Sequence, residues 1–408
     1  MDQGPRTRRR LPAVAAVALP VGPGPSLPPS VVDQAGGRSP LESYVLVIAL
    51  GVLAAAAAFA LVRWSGRWRP WVRRSAWAVP ALLALLTTGA AVNSYVGYVR
   101  SFDDLSRLAL MAAGGNSTDE KGAVVPATTG PHNPDDVRVT DVSLPAPALG
   151  VPSGRTRVLL PPGYDAPANA GRRYPVVYLV HGFPSGGPDD WLSGGGAVQT
   201  QQALLRTRSA QPMIVVAVDA TAGSGADWEC LNVPRGPQLE TYLSQYVPKE
   251  VDARFRTLPD RGDRAIGGMS GGAFCALNIG MRQQNAFSVI LDTEPEDAPG
   301  PSGAQLLAGH PDELRANTPR DYLRTIPIHR PMSLMLHAGV VAESDVELAH
   351  RLADELAPRG VQVALREEPG EWHTWRTARI ALPYLLKFAA DHFAGNHQPG
   401  PAPARAGR

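Results

Sequence analysis

The strongest restriction on the fold comes from the stretch Arg264-Ala-Ile-Gly-Gly-Met-Ser-Gly-Gly-Ala-Phe-Cys275. A short apolar run leads into it, and an apolar, helix-compatible run from Ala273 to Met281 leads out. Residues 268–272 fit Gly-x-Ser-x-Gly, a pattern that places its serine on a sharp turn between a strand and a helix. We therefore expect Ser270 to be a nucleophile and the backbone N–H of Gly271 to face a developing oxyanion.

The pattern alone is weak evidence, because a chain with 41 glycines can contain it by chance. A glycine-rich turn whose serine has no chemical function is the alternative. Composition does not decide between them: the net charge of +2 gives no reason to expect nucleic-acid binding, and 44% hydrophobic residues support a substantial core. The sequence can be tested further by asking whether an acid and then a histidine follow the serine.

His373 is the candidate base. It lies in Pro369-Gly-Glu-Trp-His-Thr-Trp375, after the last predicted strand and before the last predicted helix. Imidazole suits the task because its ordinary pKa of about 6.5 lets it accept a serine proton and return it at neutral pH. His310 and His329 are competitors for this role. His337 lies inside a predicted strand, and His350 and His392 lie on predicted helices, so we expect structural positions for these three.

The acid that orients the imidazole is expected in the loop that follows the strand Ser333–His337. Glu343 and Asp345 both lie there, and Glu343 is preferred because it is nearer the strand end. The other acid would then begin the next helix, where a carboxylate is favourable. Asp292, at the end of the preceding strand, is a third candidate.

A second oxyanion donor is expected where the first buried strand ends, in Leu179-Val-His-Gly-Phe183. A His-Gly pair upstream of an elbow serine is where that N–H arises, and it is assigned to Phe183. His181 is interpreted as structural. An ordinary glycine turn is the alternative.

From about residue 137, short apolar runs alternate with helix-like stretches, which predicts an α/β fold with a mostly parallel sheet. The predicted strands are 137–144, 155–160, 176–180, 213–218, 265–266, 287–291, 333–337 and 361–365. The predicted helices are 197–207, 238–255, 272–284, 343–357 and 378–393.

The chain contains two cysteines, Cys230 and Cys275. In an oxidising compartment they could form a disulfide near Ser270, and two buried free thiols are the equal alternative. With so few clustered ligands a zinc site is not expected, and no organic cofactor is implied.

Two uncharged runs, 44–62 and 76–99, are long enough to cross a hydrocarbon core of about 30 Å. The loop between them, residues 63–74, interleaves arginine with tryptophan, which is typical of the cytoplasmic interface. The sequence therefore predicts a transmembrane hairpin with the C-terminal domain outside the cell. The arginines at positions 6–10 would then also lie outside, against the same rule. A hairpin of core helices is the alternative.

The remaining segments are interpreted as connections. Residues 1–40 are rich in Pro and Gly and are predicted to be a disordered tail, with a poor signal-peptide core as the alternative. Residues 41–100 are the hairpin, 101–136 a linker, 137–394 a catalytic domain and 395–408 a second disordered tail.

Residues 137–394 resemble the esterase D-like branch of the α/β-hydrolase fold, which includes secreted mycolyltransferases and membrane-tethered actinobacterial esterases. The resemblance is carried by Tyr178-Leu-Val-His-Gly182, Asp227-Trp-Glu-Cys230, Glu240-Thr-Tyr-Leu243, the elbow at 267–273, and Pro369-Gly with His373 and Trp375. By position, the family's nucleophile matches Ser270, its base His373, and its oxyanion donors Phe183 and Gly271.

The sequence departs from this family in two places. Glu371 and Trp372 stand between Gly370 and His373, where the family has Gly-Gly-His, and the spacing from Gly339 to the acid is loose. The resemblance implies a serine esterase or acyltransferase of the cell envelope, anchored in the lipid bilayer and acting on ester, acyl-lipid or acyl-sugar substrates. A catalytically inactive binding or structural protein on the same scaffold is the alternative.

Overall fold

One mixed β-sheet forms the centre of the computed structural model, which describes residues 19–112, 125–126, 133, 135–183 and 186–397. In those residues the strands are β1 (Gly22–Pro23), β2 (Val125–Pro126), β3 (Arg138–Ser143), β4 (Arg155–Leu160), β5 (Val176–Val180), β6 (Ile214–Val218), β7 (Arg264–Met269), β8 (Val289–Thr293), β9 (Ser333–Gly339) and β10 (Gln362–Glu368). Their order is β1-β10-β9-β8-β7-β5-β6-β4-β3-β2. The seven strands from β1 to β6 in that order are parallel, and β4, β3 and β2 continue antiparallel.

Helices cover both faces of the sheet. The helices of the described residues, whether or not they pack on the sheet, are α1 (Pro29–Gly36), α2 (Tyr44–Trp64), α3 (Pro70–Ala76), α4 (Ala78–Val96), α5 (Phe102–Ala112), α6 (Ala197–Arg206), α7 (Leu239–Thr241), α8 (Val247–Arg254), α9 (Gly271–Arg282), α10 (Pro301–Leu306), α11 (Pro311–Ala316), α12 (Pro319–Tyr322), α13 (Glu343–Leu356) and α14 (Trp375–Asn396). Side chains of α9 and α13 join the core on one face, and those of α6 and α14 join the core on the other. Every residue of β5, β6 and β8 is buried, as expected of parallel strands covered on both sides.

The predicted α/β class with a mostly parallel sheet is confirmed, and each of the eight predicted strands overlaps one of β3 to β10. The apolar runs located them because a strand buried on both faces reads as continuous hydrophobic sequence. The signal fails for short edge strands such as β1, whose two residues carry no periodic pattern.

The N-terminal segment differs from the prediction of a disordered tail. Strand β1 pairs in parallel with β10, and helix α1 packs on α14 and α6. Val31 and Ala35 are buried, so α1 contributes an apolar face to the domain. The Pro- and Gly-rich composition concealed a short helix that begins at Pro29, where the fixed φ of proline favours helix entry.

Helices α2 and α4 pack side by side and leave their apolar surfaces exposed. Residues 44–67 and 70–96 are strongly apolar, and only 6% of the most apolar stretch of each is buried. Both helices are long and apolar enough to cross a membrane. Since Leu41 accepts a hydrogen bond from the Asn93 side chain, the start of α2 and the end of α4 lie together. That end of the hairpin meets the domain, and residues 63–74 lie at the opposite end.

Parts of the predicted connections lie outside the described residues: 1–18 of the first tail, 113–124, 127–132 and 134 of the linker, and 398–408 of the second tail. The segment between α4 and the linker is tied to the domain. Tyr98 donates a hydrogen bond of 2.6 Å to Asp190, so the chain leaving α4 is held against the sheet domain there.

Candidate active site

Five functional segments meet at one edge of the sheet because each follows the carboxyl end of a parallel strand. Phe183 follows β5, Ser270 follows β7, and the acids of residues 294–296 follow β8. Asp345 follows β9 and His373 follows β10. The parallel topology therefore gathers residues that are nearly 200 positions apart in the sequence.

Ser270 occupies a strained turn between β7 and α9, with φ of 57° and ψ of −124°. A non-glycine residue with positive φ is uncommon and costs free energy that the surrounding structure must offset. The flanking glycines are required sterically: a Cβ on Gly272 would collide with the backbone oxygens of Val180 and His181. This is the backbone geometry that the Gly-x-Ser-x-Gly pattern predicts.

The loop after β5 lies directly on this turn. A Cβ on Gly271 would come within 2.6 Å of the Phe183 ring, and one on Gly182 would lie 3.9 Å from the Ser270 Cβ. The backbone of the two predicted oxyanion donors is therefore adjacent. His181 is a structural imidazole, since its Nε2 accepts the Ala220 N–H at 3.0 Å and its Nδ1 lies 2.9 Å from the Gly182 oxygen.

The structure brings Asp345, and not the preferred Glu343, to the histidine. Nδ1 of His373 lies 2.7 Å from Oδ2 of Asp345, which is buried, whereas Glu343 is exposed. Both acids are in the first turn of α13. Residues two positions apart in a helix point about 200° away from each other around its axis. When one faces the site, the other faces solvent, and nearness to the strand end was the wrong criterion.

Asp292, the third candidate, is in register with Gly268 and Leu336 inside the sheet. Its side chain is fully buried, and neither carboxyl oxygen has a hydrogen-bond partner among the described residues. Burial raises the pKa of Asp292 well above its usual range. Among the described residues it is a core acid with no hydrogen bond to His373.

Two glutamates that the sequence analysis missed complete the site. The Ser270 hydroxyl donates a hydrogen bond of 3.0 Å to Oε1 of Glu296. Glu294 is fully buried with φ of 55°, and its Oε1 accepts the Thr374 N–H at 2.6 Å, next to His373. The signal that could have located them is the run Thr-Glu-Pro-Glu-Asp at 293–297, four polar residues and a proline directly after a buried strand.

Known proteins resemble this chain in sequence over part of its length. Residues 153–295 match the family described as "Putative esterase". An uncharacterized protein of Corynebacterium glutamicum is 33% identical over 170 residues, 40% of this chain and 39% of that one. An esterase of Mycobacterium tuberculosis is 33% identical over 167 residues, 38% of this chain and 32% of that one. The chain thus spans between 32% and 39% of the length of these relatives.

Solved structures show the same fold. A ferulic acid esterase superposes with a TM-score of 0.53 at 22% identity, covering 63% of this chain and 99% of that one. An S-formylglutathione hydrolase of Agrobacterium tumefaciens superposes with a TM-score of 0.52 at 18% identity, covering 65% of this chain and 99% of that one. Residues 153–295 therefore resemble the family described as "Putative esterase", and the sheet domain has the fold of these two solved structures.

The electrostatics of the site centre on His373, whose side chain is 35% exposed. Burial lowers the pKa of the imidazole, but the hydrogen bond to Asp345 and the charges of Glu294, Asp345 and Glu296 outweigh it and raise the pKa to about 9. Burial likewise raises the pKa of Glu294 to about 8 and that of Glu296 above its usual value. The imidazole is therefore predominantly protonated at neutral pH in this arrangement of acids.

A disulfide joins Cys230 to Cys275 in the sheet domain, across 45 residues of sequence. Cys275 lies in the second turn of α9, the helix that begins after Ser270, and Cys230 lies in the loop after β6. Glu229 and Cys230 both have φ of 50°, so strained backbone occurs here as well as at Ser270. The bridge fixes this loop to α9.

Proposed function

We propose that the protein is a membrane-anchored serine esterase or acyltransferase that works through an acyl-enzyme intermediate. The observation that carries the proposal is the combination of Ser270 on a strained elbow with the His373–Asp345 pair at the same sheet edge. A bare glycine turn would require neither a histidine with a buried acid partner nor a second loop packed on the serine.

In the first half-reaction the Ser270 oxygen attacks the ester carbonyl carbon, and Nε2 of His373 takes the hydroxyl proton. The backbone N–H groups of Phe183 and Gly271 stabilise the negative charge on the carbonyl oxygen. As the bond between the carbonyl carbon and the alcohol oxygen breaks, His373 returns the proton to the departing alcohol. Asp345 keeps the imidazole in the required tautomer throughout.

In the second half-reaction water or another hydroxyl compound attacks the acyl-enzyme, and His373 accepts its proton. Transfer to water gives a carboxylic acid, and transfer to a sugar or lipid hydroxyl gives a new ester. In either case the proton then returns to Ser270 as the tetrahedral intermediate collapses.

Helices α2 and α4 are proposed to anchor the domain in the bilayer. Support comes from their exposed apolar surfaces and from the arginine- and tryptophan-rich residues 63–74, which suit the cytoplasmic interface. With that loop inside, the esterase domain and residues 19–42, which pack on it, lie outside the cell. Protease treatment of intact cells tests this orientation: the esterase domain should be digested, and its protection would reverse the topology.

The catalytic proposal is tested with the full-length protein in detergent micelles and a short p-nitrophenyl ester. Ser270→Ala should abolish hydrolysis, by about 10⁴-fold or more, while the melting temperature stays near that of wild type. A Ser270→Ala protein that hydrolyses the ester at the wild-type rate would refute the proposal. The inactive alternative predicts equal, negligible rates for both proteins.

A further inference from the structure

The end of the hairpin that meets the esterase domain touches the loop that carries His373. The ring of Tyr95, in the last turn of α4, packs edge-on against Trp372 with centroids 6.1 Å apart. Tyr98 packs in the same way on Trp375, the first residue of α14, at 6.3 Å. Trp372 precedes His373 and Trp375 follows it in the sequence, so the hairpin end contacts this segment both before and after the histidine.

The same hairpin end also reaches the loop that carries the second oxyanion donor. The Tyr98 hydroxyl donates to Oδ1 of Asp190 at 2.6 Å, and Oδ2 of Asp190 accepts the Gly187 N–H at 2.9 Å. The neighbouring Gly186 lies directly against the residue before Phe183, since a Cβ on Gly186 would collide with the backbone oxygen of that residue and come within 3.0 Å of Oδ2 of Asp190. Burial, with Asp190 next in importance, raises the pKa of Tyr98 above its usual range, so the phenol remains a donor.

Buried ionic contacts fix the hairpin end in place. Arg379 of α14 pairs with Glu42 at 2.6 Å, and each side chain is 1% exposed. Arg379 also donates to the oxygens of Gly97 and Gly194, at 2.7 and 3.2 Å. Separating Arg379 from Glu42 would leave two buried charges uncompensated, which is costly. The contact between the hairpin end and α14 therefore resists displacement. The hairpin is therefore docked on the domain and is more than a flexible tether.

We infer that the hairpin end, defined by Glu42, Tyr95 and Tyr98, is part of the active-site framework, with Tyr98 as the positioning residue for the loop that carries Phe183. The inference rests on the proposed esterase function. Oxyanion donors stabilise a transition state only when they are preorganised, and a displacement of about 1 Å can cost about 10²-fold in rate. Tyr98 reaches that loop through Asp190 and Gly187 without touching the reacting atoms.

The test compares Tyr98→Phe with Tyr44→Phe in the full-length protein in detergent micelles, using a water-soluble p-nitrophenyl ester. Tyr44 lies at the same hairpin end, and its hydroxyl is 3.2 Å from Arg38 on the exposed surface. Tyr98→Phe should lower kcat by about 10- to 100-fold with KM unchanged. Tyr44→Phe should keep the wild-type kcat.

Two further measurements separate positioning from simple loss of folded protein. Titration with a fluorophosphonate should show the same fraction of reactive enzyme in Tyr98→Phe as in wild type, with slower labelling. Asp190→Asn should lower kcat, and the double variant should be no slower than the worse single variant, because both act through one contact.

The inference is overturned if Tyr98→Phe keeps the wild-type kcat, or if its loss is fully explained by a smaller titratable fraction. These results leave the esterase proposal intact as long as the wild type is active and Ser270→Ala is not. An inactive wild type would overturn both.

Discussion

The two sides of Ser270 are built by different means. On the elbow side, glycines and backbone contacts determine the geometry, because a Cβ on Gly272 or Gly271 would collide with the adjoining loop. On the acid side, the carboxyl groups of Glu294, Glu296 and Asp345 surround His373. The comparison teaches that steric rules fix where Ser270 lies, whereas the balance of charges sets the pH at which His373, the proposed base, can accept a proton.

The largest effect that would sharpen this contrast is expected at Asp345. Asp345→Asn should lower kcat by about 10⁴-fold, because the amide favours the wrong imidazole tautomer and cannot stabilise imidazolium. Glu343→Gln, two residues away on the exposed side of α13, is the matched control and should leave kcat unchanged. Steady-state kinetics on a p-nitrophenyl ester measures both, and equal losses in the two variants would refute the assignment of Asp345.

The next effect concerns the pH dependence of activity. With the pKa of His373 raised to about 9, kcat/KM should rise with pH through that region as imidazolium loses its proton. Glu296→Gln removes a negative charge near the ring, so the rise should move to lower pH. Activity at neutral pH should then increase up to about tenfold for each unit of the displacement.

A pH–rate profile of kcat/KM for the wild type and Glu296→Gln checks this prediction. Glu367→Gln, which removes an exposed glutamate that contacts His350 and not the site, serves as the control. Identical profiles in wild type and Glu296→Gln would mean that the acid side does not tune the base.

A smaller effect is expected on stability. The folded-state pKa of Glu294, about 8, lies above its ordinary value of about 4.5. As the pH rises, this acid therefore loses its proton at a lower pH in the unfolded chain than in the folded protein. Stability from this group is present below about pH 4.5 and is lost as the pH rises through about 8. Glu294→Gln keeps an acceptor for the Thr374 N–H and should flatten that decline.

Urea unfolding at a series of pH values between 5 and 8 measures the free energy of unfolding for wild type and Glu294→Gln. As the pH rises, the free energy of unfolding should fall more in the wild type than in Glu294→Gln. A constant difference would show that Glu294 ionises alike in the folded and unfolded states.

The same division explains what the sequence could predict. The strands and Ser270 were predictable because burial and tight turns leave local signatures in apolar runs and glycines. The choice between Glu343 and Asp345 was not, since it depends on the rotation of α13 against β9. Glu294 and Glu296 escaped detection because their proximity to His373 is created by the pairing of β8, β9 and β10.

The packing of the N-terminal segment on the domain could likewise not be predicted from the sequence. Nothing local in Glu42 or Arg379 indicates that they pair across 337 residues. Composition predicted a tail for residues 1–40, whereas a two-residue strand and an eight-residue helix suffice to attach residues 19–40 to the domain. Long-range contacts of this kind carry no periodicity that a single sequence exposes.

The central claim is that Ser270 is made reactive by His373, and labelling with a fluorophosphonate followed by peptide mass spectrometry tests it most directly. The adduct is predicted on the tryptic peptide that contains Ser270 in the wild type, with labelling slowed at least about 10³-fold in His373→Ala. An unlabelled wild type, an adduct on a different serine, or equal labelling rates with and without His373 would contradict the account.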